Sequence, residues 1–222
     1  MNSSPNRERP HKLAESSVVF LGAFNPAIYQ PAWFVQHELI AQNPDGTELD
    51  VASPQVTAFR SDWLRLLVQL DRLEFHASDE VTSPKLLLDL VLSVFDLLPH
   101  VPISAFGINR SVHFGVESRE AFDAIGYHLF SRDAWQGALD DPRMRTVQIE
   151  QRHGDMEKPE WITTVTVQPS GQDPQAVFVA VNDHFPFYDG SVDGSETTDR
   201  LVDVFDDRLA AAAALIDHVR TL

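Results

Sequence analysis

Two short runs of polar side chains have spacings that chemistry can use. Asn109, Ser111 and His113 are two residues apart, which puts all three on one face of a strand. In that arrangement His113 could serve as base or ligand while Asn109 orients a substrate. The same pattern also describes a solvated face of an antiparallel sheet. Asn182, Asp183 and His184 follow the apolar run Val177 to Val181, where a buried strand gives way to a loop. A carboxylate beside an imidazole there could set a base or bind a metal. Neighbours along a strand point to opposite faces, so these residues equally suit turn chemistry and edge capping. A third group, Asp189, Asp193, Glu196, Asp199 and Asp203, lacks the spacing and the closing glutamate of a calcium loop. It reads as favourable charge at a helix N-terminus.

The familiar catalytic signatures are missing from the sequence. It has no phosphate-cradling loop, no dinucleotide glycine fingerprint, no paired-histidine zinc helix and no nucleophile elbow. Cysteine is absent, which removes disulfides, thiolate metal ligands and a cysteine nucleophile together. These absences lean away from an enzyme and name no catalytic residue, metal or cofactor. The six residues Asn109, Ser111, His113, Asn182, Asp183 and His184 are therefore the expected ligand- or partner-binding positions. A hydrolase built on His113, or on Asp183 with His184, is the remaining catalytic alternative.

Charge bounds the partners. Against 33 acidic residues stand 17 basic ones, a formal net of −16, and the only lysines are Lys12, Lys85 and Lys158. Such a field repels phosphate backbones and disfavours general nucleic-acid binding. It suits either plain solubility, including that of a salt-tolerant host, or a surface that meets a basic protein partner. No apolar run reaches the 18 residues of a membrane span, and Met1 to Ser16 is polar rather than signal-like, so a cytoplasmic protein is expected.

The elements that must position the polar runs follow from patterning. With 222 residues, 43% of them hydrophobic and 23% charged, the chain suits one globular domain over 17–222 behind a disordered leader over 1–16. Ser17 to Phe24 reads as a strand, and Pro31 opens a helix to about Gln42, before a turn at Asn43–Gly46. Pro54 to Ala77 reads as strands: Leu64, Leu66, Val68 and Leu70 alternate with one buried face, and Leu73 and Phe75 continue after a bend at Asp71-Arg72. Ser83 and Pro84 open a leucine-rich helix that Pro99 and Pro102 end. A long strand over Ile103 to Val116 has one apolar face and one small, polar face. Ser118 and Ser131 are placed to cap helices. Strands over 145–153, 161–168 and 176–183 precede an irregular acidic segment and a final helix from about Thr197 to Val219. The sum is an α+β fold: a mainly antiparallel, curved sheet of about six to seven strands, with helices on one face and a long C-terminal helix.

Pro99 to Asn109, taken with Val18 to Asn25 and the Trp63 to Phe75 strands, carries a resemblance. Over Val18 to Phe114 the chain resembles a sporadically distributed family of uncharacterised bacterial proteins, in which a leucine-rich helix ends in a similar leucine-proline-histidine-valine-proline-isoleucine stretch. The resemblance implies a bacterial cytoplasmic protein of the kind found in accessory or defence loci, including toxin–antitoxin loci, and it implies no catalytic residue. The leading expectation is thus a non-enzymatic interaction protein that binds a protein partner through an acidic surface. Its alternative is a helix-grip domain that holds a small molecule between sheet and final helix, with Ala105, Gly107, Ser111 and Gly115 leaving room on the floor.

Overall fold

The computed structural model describes residues 11–41, 46–78 and 82–222. Met1 to Pro10 and most of the Asn43–Gly46 turn lie outside them. Along the chain run β1 (His11–Gly22), α1 (Pro31–Gln36), β2 (Glu48–Ala52), β3 (Val56–Arg60), β4 (Leu64–Gln69) and β5 (Arg72–Ser78). Then follow α2 (Pro84–Leu97), β6 (Pro102–Gly115), α3 (Arg119–Leu129) and a short 3-10 turn at Arg132–Trp135. The chain closes with β7 (Val147–Gly154), β8 (Pro159–Pro169), β9 (Ala176–Pro186), β10 (Val192–Asp193) and α4 (Gly194–Arg220).

Among the described residues ten strands form one open antiparallel sheet, ordered β2-β3-β4-β5-β1-β6-β9-β8-β7, with β10 beside β6. That exceeds the six or seven strands expected. The surplus includes β2, where Glu48 to Ala52 is too polar to announce a strand, and the two-residue β10, whereas β3 falls within the Pro54 to Ala77 stretch expected as strands. β1 begins at His11, six residues earlier than the expected start, because it lies between β5 and β6 and is paired along both edges. The 11–16 part of the expected leader is therefore sheet.

Read outward from the central β1–β6 pair, the two halves share one topology. Each runs strand, helix, antiparallel meander, helix: β1, α1, β2–β5, α2, then β6, α3, β7–β9, α4. β5, β4 and β3 extend one side as β9, β8 and β7 extend the other.

Helix limits have local causes. Pro84 sits in the first turn of α2, whose Leu87, Leu90, Val91 and Val94 recur on one buried face. Ser118 caps α3 by accepting from the Ala121 amide at 3.3 Å. α1 stops at Gln36, well short of Gln42, and Glu38 takes a left-handed φ of 58°. Ser131 opens only the 3-10 turn, whose last residue Trp135 is exposed, as is Leu139 beyond it. α4 starts three residues early at Gly194, where a Cβ would come within 2.4 Å of the Phe95 ring. Glycine there lets the long helix sit directly on α2.

All four helices pack on one face of the sheet. Phe34, Leu87, Val91, Leu201 and Phe205 join Val18, Phe20, Phe59, Leu66, Phe75 and Ile108 in one buried cluster. Phe122, Ile125, Ala212 and Ile216 join Val112, Phe114, Val179 and Val181 in a second. Burial of this kind, at about 25 cal/mol per Å² of apolar surface, is the main force holding the layers together. No helix among the described residues is long and apolar enough to cross a membrane.

Candidate functional site

The other face of the sheet carries no helix, and its registers place the polar side chains in rows. One row reads Arg60, Arg65, His76, Ser17, Asn109, Asn182, Thr164 and Glu150 across eight strands. The next reads Ser78, Glu15, Ser111, Ala180 and Thr166, and the one beyond it Leu13, His113 and Phe178. Asn109, Ser111, His113, Asn182 and His184 thus share one surface. Asn182 donates its amide N–H to Asn109 Oδ1. His184 lies opposite Gly107 and Ile162, half-buried, and burial depresses its pKa.

Asp183 goes the other way. It is 2% exposed on the helix-covered face, beside Thr163, which donates its hydroxyl to Asp183 Oδ1. Asp183 and His184 therefore form no carboxylate–imidazole pair, as alternation along β9 requires. Burial raises the pKa of Asp183, and the Thr163 hydrogen bond with the charges of Arg208 and His153 only partly offsets it. Thr163 has a single proton, given to Asp183, so it accepts from His153 Nε2 at 3.0 Å. His153 stacks on Trp161 at 4.2 Å, Trp161 on Phe185 at 6.0 Å, and Phe185 on Phe106 at 4.6 Å. Phe185 thus belongs to β9 and to the core, while Tyr188, two residues past the end of the strand, is exposed.

The open face holds an ionic network that sequence reasoning missed. His76 lies between two carboxylates, Nδ1 2.9 Å from Glu15 and Nε2 2.8 Å from Glu74, and Arg72 pairs with Glu74. Burial works against the imidazolium, but the bonds to Glu15 and Glu74 outweigh it and raise the pKa of His76 above 6.5. The bond from His76, with Arg72, holds Glu74 down at about 2 despite burial. Burial also opposes ionisation of Glu15, yet His76 and Arg65 keep it below its ordinary value. Both ring nitrogens of the charged His76 are donors, so the 3.1 Å approach of Arg65 Nη2 to Nδ1 is a like-charge contact.

Beside this network opens a cavity of about 290 Å³, bounded by Leu13, Glu15, Arg65, Ser78, Ser111, His113, Gln172 and Phe178. His113 is fixed by the loop after β8. Ser170 Oγ accepts from the Gln172 and Asp173 amides at 3.0 and 3.1 Å, and its own proton is left for His113 Nδ1 at 2.8 Å. The imidazole is therefore neutral with its proton on Nε2, in keeping with a pKa that burial depresses. Among the described residues no three His, Asp or Glu side chains converge as a metal-ligand set.

Ala105, Gly107, Ser111 and Gly115 lie on this open face, not beneath α4. The interface beneath α4 is filled by Leu201, Phe205, Leu209, Ala212, Ile216 and Val219, all buried. The room expected for a helix-grip ligand is thus on the wrong side of the sheet, because the odd-numbered residues of β6 from Ala105 onward, past the register shift at Ile103, face away from the helix.

α4 turns a different surface outward. Glu196, Asp199, Asp203, Asp206 and Asp207 are exposed and make no ion pair among the described residues. The arginines of the same stretch are directed inward. Arg200 lies 5.5 Å from the centres of both Phe185 and Phe187 and donates to the Glu160 carbonyl at 3.0 Å, and Arg208 lies 4.9 Å over Trp161. No family model matches the chain, and no curated protein matches its sequence.

Proposed function

We propose that the protein is a non-enzymatic interaction protein that engages a basic protein partner through the outer ridge of α4. The observation that carries this reading is the uncompensated charge of that ridge. Asp199, Asp203 and Asp207 follow one another at i,i+4, and each such like-charged pair costs a helix about 0.2–0.5 kcal/mol. Arg200 and Arg208, which could neutralise them, are held on aromatic rings of the sheet side. A basic partner would find an ordered row of carboxylates on a rigid support, and complementary charge of this kind governs association rate and specificity. The setting that fits is the bacterial cytoplasm, in a defence or toxin–antitoxin locus, as the likeness of the first half of the chain implies.

The test compares the wild-type chain with a variant carrying Asp199→Asn, Asp203→Asn, Asp206→Asn and Asp207→Asn, each purified by affinity tag from the native host at low and high salt. A basic protein held by wild type at low salt, released at high salt and absent from the variant supports the reading. Identical partners on both proteins, or none on either, would sink it.

A further inference from the structure

The cavity on the open face is built around an underused cation. Arg60, on the same face, grips Asp50 through Nε and Nη2 at 2.7 to 3.1 Å. Arg65 has no such partner. Its Nη2 stands 3.4 Å or more from Glu15, beyond the usual 2.7–2.9 Å of a charge-assisted bond, and is crowded at 3.1 Å by His76. Its Nε and Nη1 make no hydrogen bond among the described residues. Within the His76 network Glu15 and Glu74 stand against Arg65, Arg72 and protonated His76, an excess of one positive charge, while Arg60, the register neighbour of Arg65, is already paired with Asp50 and Glu48.

The neutral groups around the cavity complete a donor set. With Nδ1 of His113 occupied by Ser170, the ring has only its Nε2 proton left to offer. Ser111 adds a hydroxyl from the adjacent row. Phe178, its ring 4.8 Å from that of His113, and the exposed Leu13 flank His113 in the same row and give that end of the cavity apolar surface. A volume of about 290 Å³ lies near the small end of the range for ligand pockets.

We propose that this pocket binds a small monocarboxylate with an apolar body, its carboxylate on Arg65, His113 and Ser111 and its hydrocarbon against Phe178 and Leu13. One negative charge cancels the excess of the network and gives Arg65 the acceptor that Glu15 only half supplies. An amine would meet Arg65 and His76 with like charge. A phosphate dianion would overshoot the single excess charge beside Glu15.

Isothermal titration of the full chain with hexanoate and with benzoate tests this, using hexanamide and hexylamine as controls. Saturable binding of either acid at millimolar concentration is expected, at least tenfold tighter than the amide and without measurable binding of the amine. Arg65→Gln should weaken the acid tenfold or more. Ser111→Leu, which fills the cavity and leaves the ion pairs intact, should abolish it, with circular dichroism verifying that both variants are folded. Binding of the amide as tight as the acid, acid binding untouched by either folded variant, or no saturable binding by either acid would each overturn the proposal.

Discussion

Along the helix-side face of the sheet a single row of side chains changes character at the β1–β6 seam. On the β1 side it reads Phe59, Leu66, Phe75 and Val18, and on the β6 side Ile108, Asp183, Thr163 and Gln151. The two halves share a topology, so connectivity is not the cause. The difference lies in what covers the outer strands. α1 sets Phe34 on Phe59 at 5.2 Å and seals the first half. α3 instead packs towards Val112, Phe114 and Val179, at the far end of the second half. Trp161 and His153 are left partly exposed under the flank of α4. A row that water can reach at one end tolerates a carboxylate where a sealed row cannot.

The largest expected effect comes from exchanging the character of the two positions flanking the central pair. Phe75→Asp puts a charge into the sealed row with no partner and should cost more than about 4 kcal/mol, enough to prevent folding. Asp183→Leu removes a buried carboxylate and leaves Thr163 free to donate to His153 instead. Its cost should stay within about 1.5 kcal/mol by urea unfolding, because replacing a buried polar group with an apolar one of similar size is often near neutral. Comparable losses at both positions would erase the contrast between the halves.

The polar clusters also differ in how pH acts on them. His76 has a raised pKa, so its contribution is full below 6.5 and lost as pH rises through its folded value. Glu15 and Glu74 have depressed values, so theirs is full above 4.5 and lost only as pH falls, for Glu74 near 2. Wild type should therefore exceed His76→Gln by about 1.5–3 kcal/mol between pH 4.5 and 6.5, the worth of a hydrogen bond to a charged group, and the gap should narrow in more alkaline buffer. A gap independent of pH would mean that His76 is not charged in the folded state.

Asp183 should respond in the same direction as His76 and opposite to Glu15 and Glu74. Its folded pKa is raised above 3.8, so the folded state holds the proton more tightly and ionisation costs stability as pH climbs through that value. Asp183→Asn keeps an oxygen for Thr163 and has no proton to lose. Its stability relative to wild type should rise as pH increases from 3.8 through the folded value of Asp183. Thermal melts across that range would show it, and a difference that shrinks with rising pH would contradict a protonation favoured by burial.

How much of this could be read from the sequence depends on the distance between partners. The α2 boundaries, the buried alternation of β4 and the two unlike faces of β6 are local patterns, and each is visible within a dozen residues. The separation of Asp183 from His184 also follows from strand geometry alone. The Glu15–His76 contact joins residues 61 apart, and the Ser170–His113 bond residues 57 apart. Both exist only because of strand pairing that no local pattern states. The shared topology of the halves is hidden for a related reason. The first meander contains the extra β2, α1 is half the length of α3, and the equivalent rows differ in polarity.

The smallest effect concerns the outermost layer, where burial no longer decides anything. Asp203 stands at i,i+4 to both Asp199 and Asp207 and at i,i+3 to Asp206, more like-charged neighbours than any other carboxylate of the ridge. Asp203→Asn should stabilise the fold by about 0.3–0.5 kcal/mol at low ionic strength. The gain should vanish at about 1 M salt, where the Debye length falls to about 3 Å. Glu196→Gln, in the first turn of α4, should give no such gain, since its charge favours the helix N-terminus. If both substitutions stabilise equally, the repulsion belongs to the net charge of the chain. A gain confined to Asp203 places it in the ordered ridge, and the protein then keeps that ridge at a cost to its own stability.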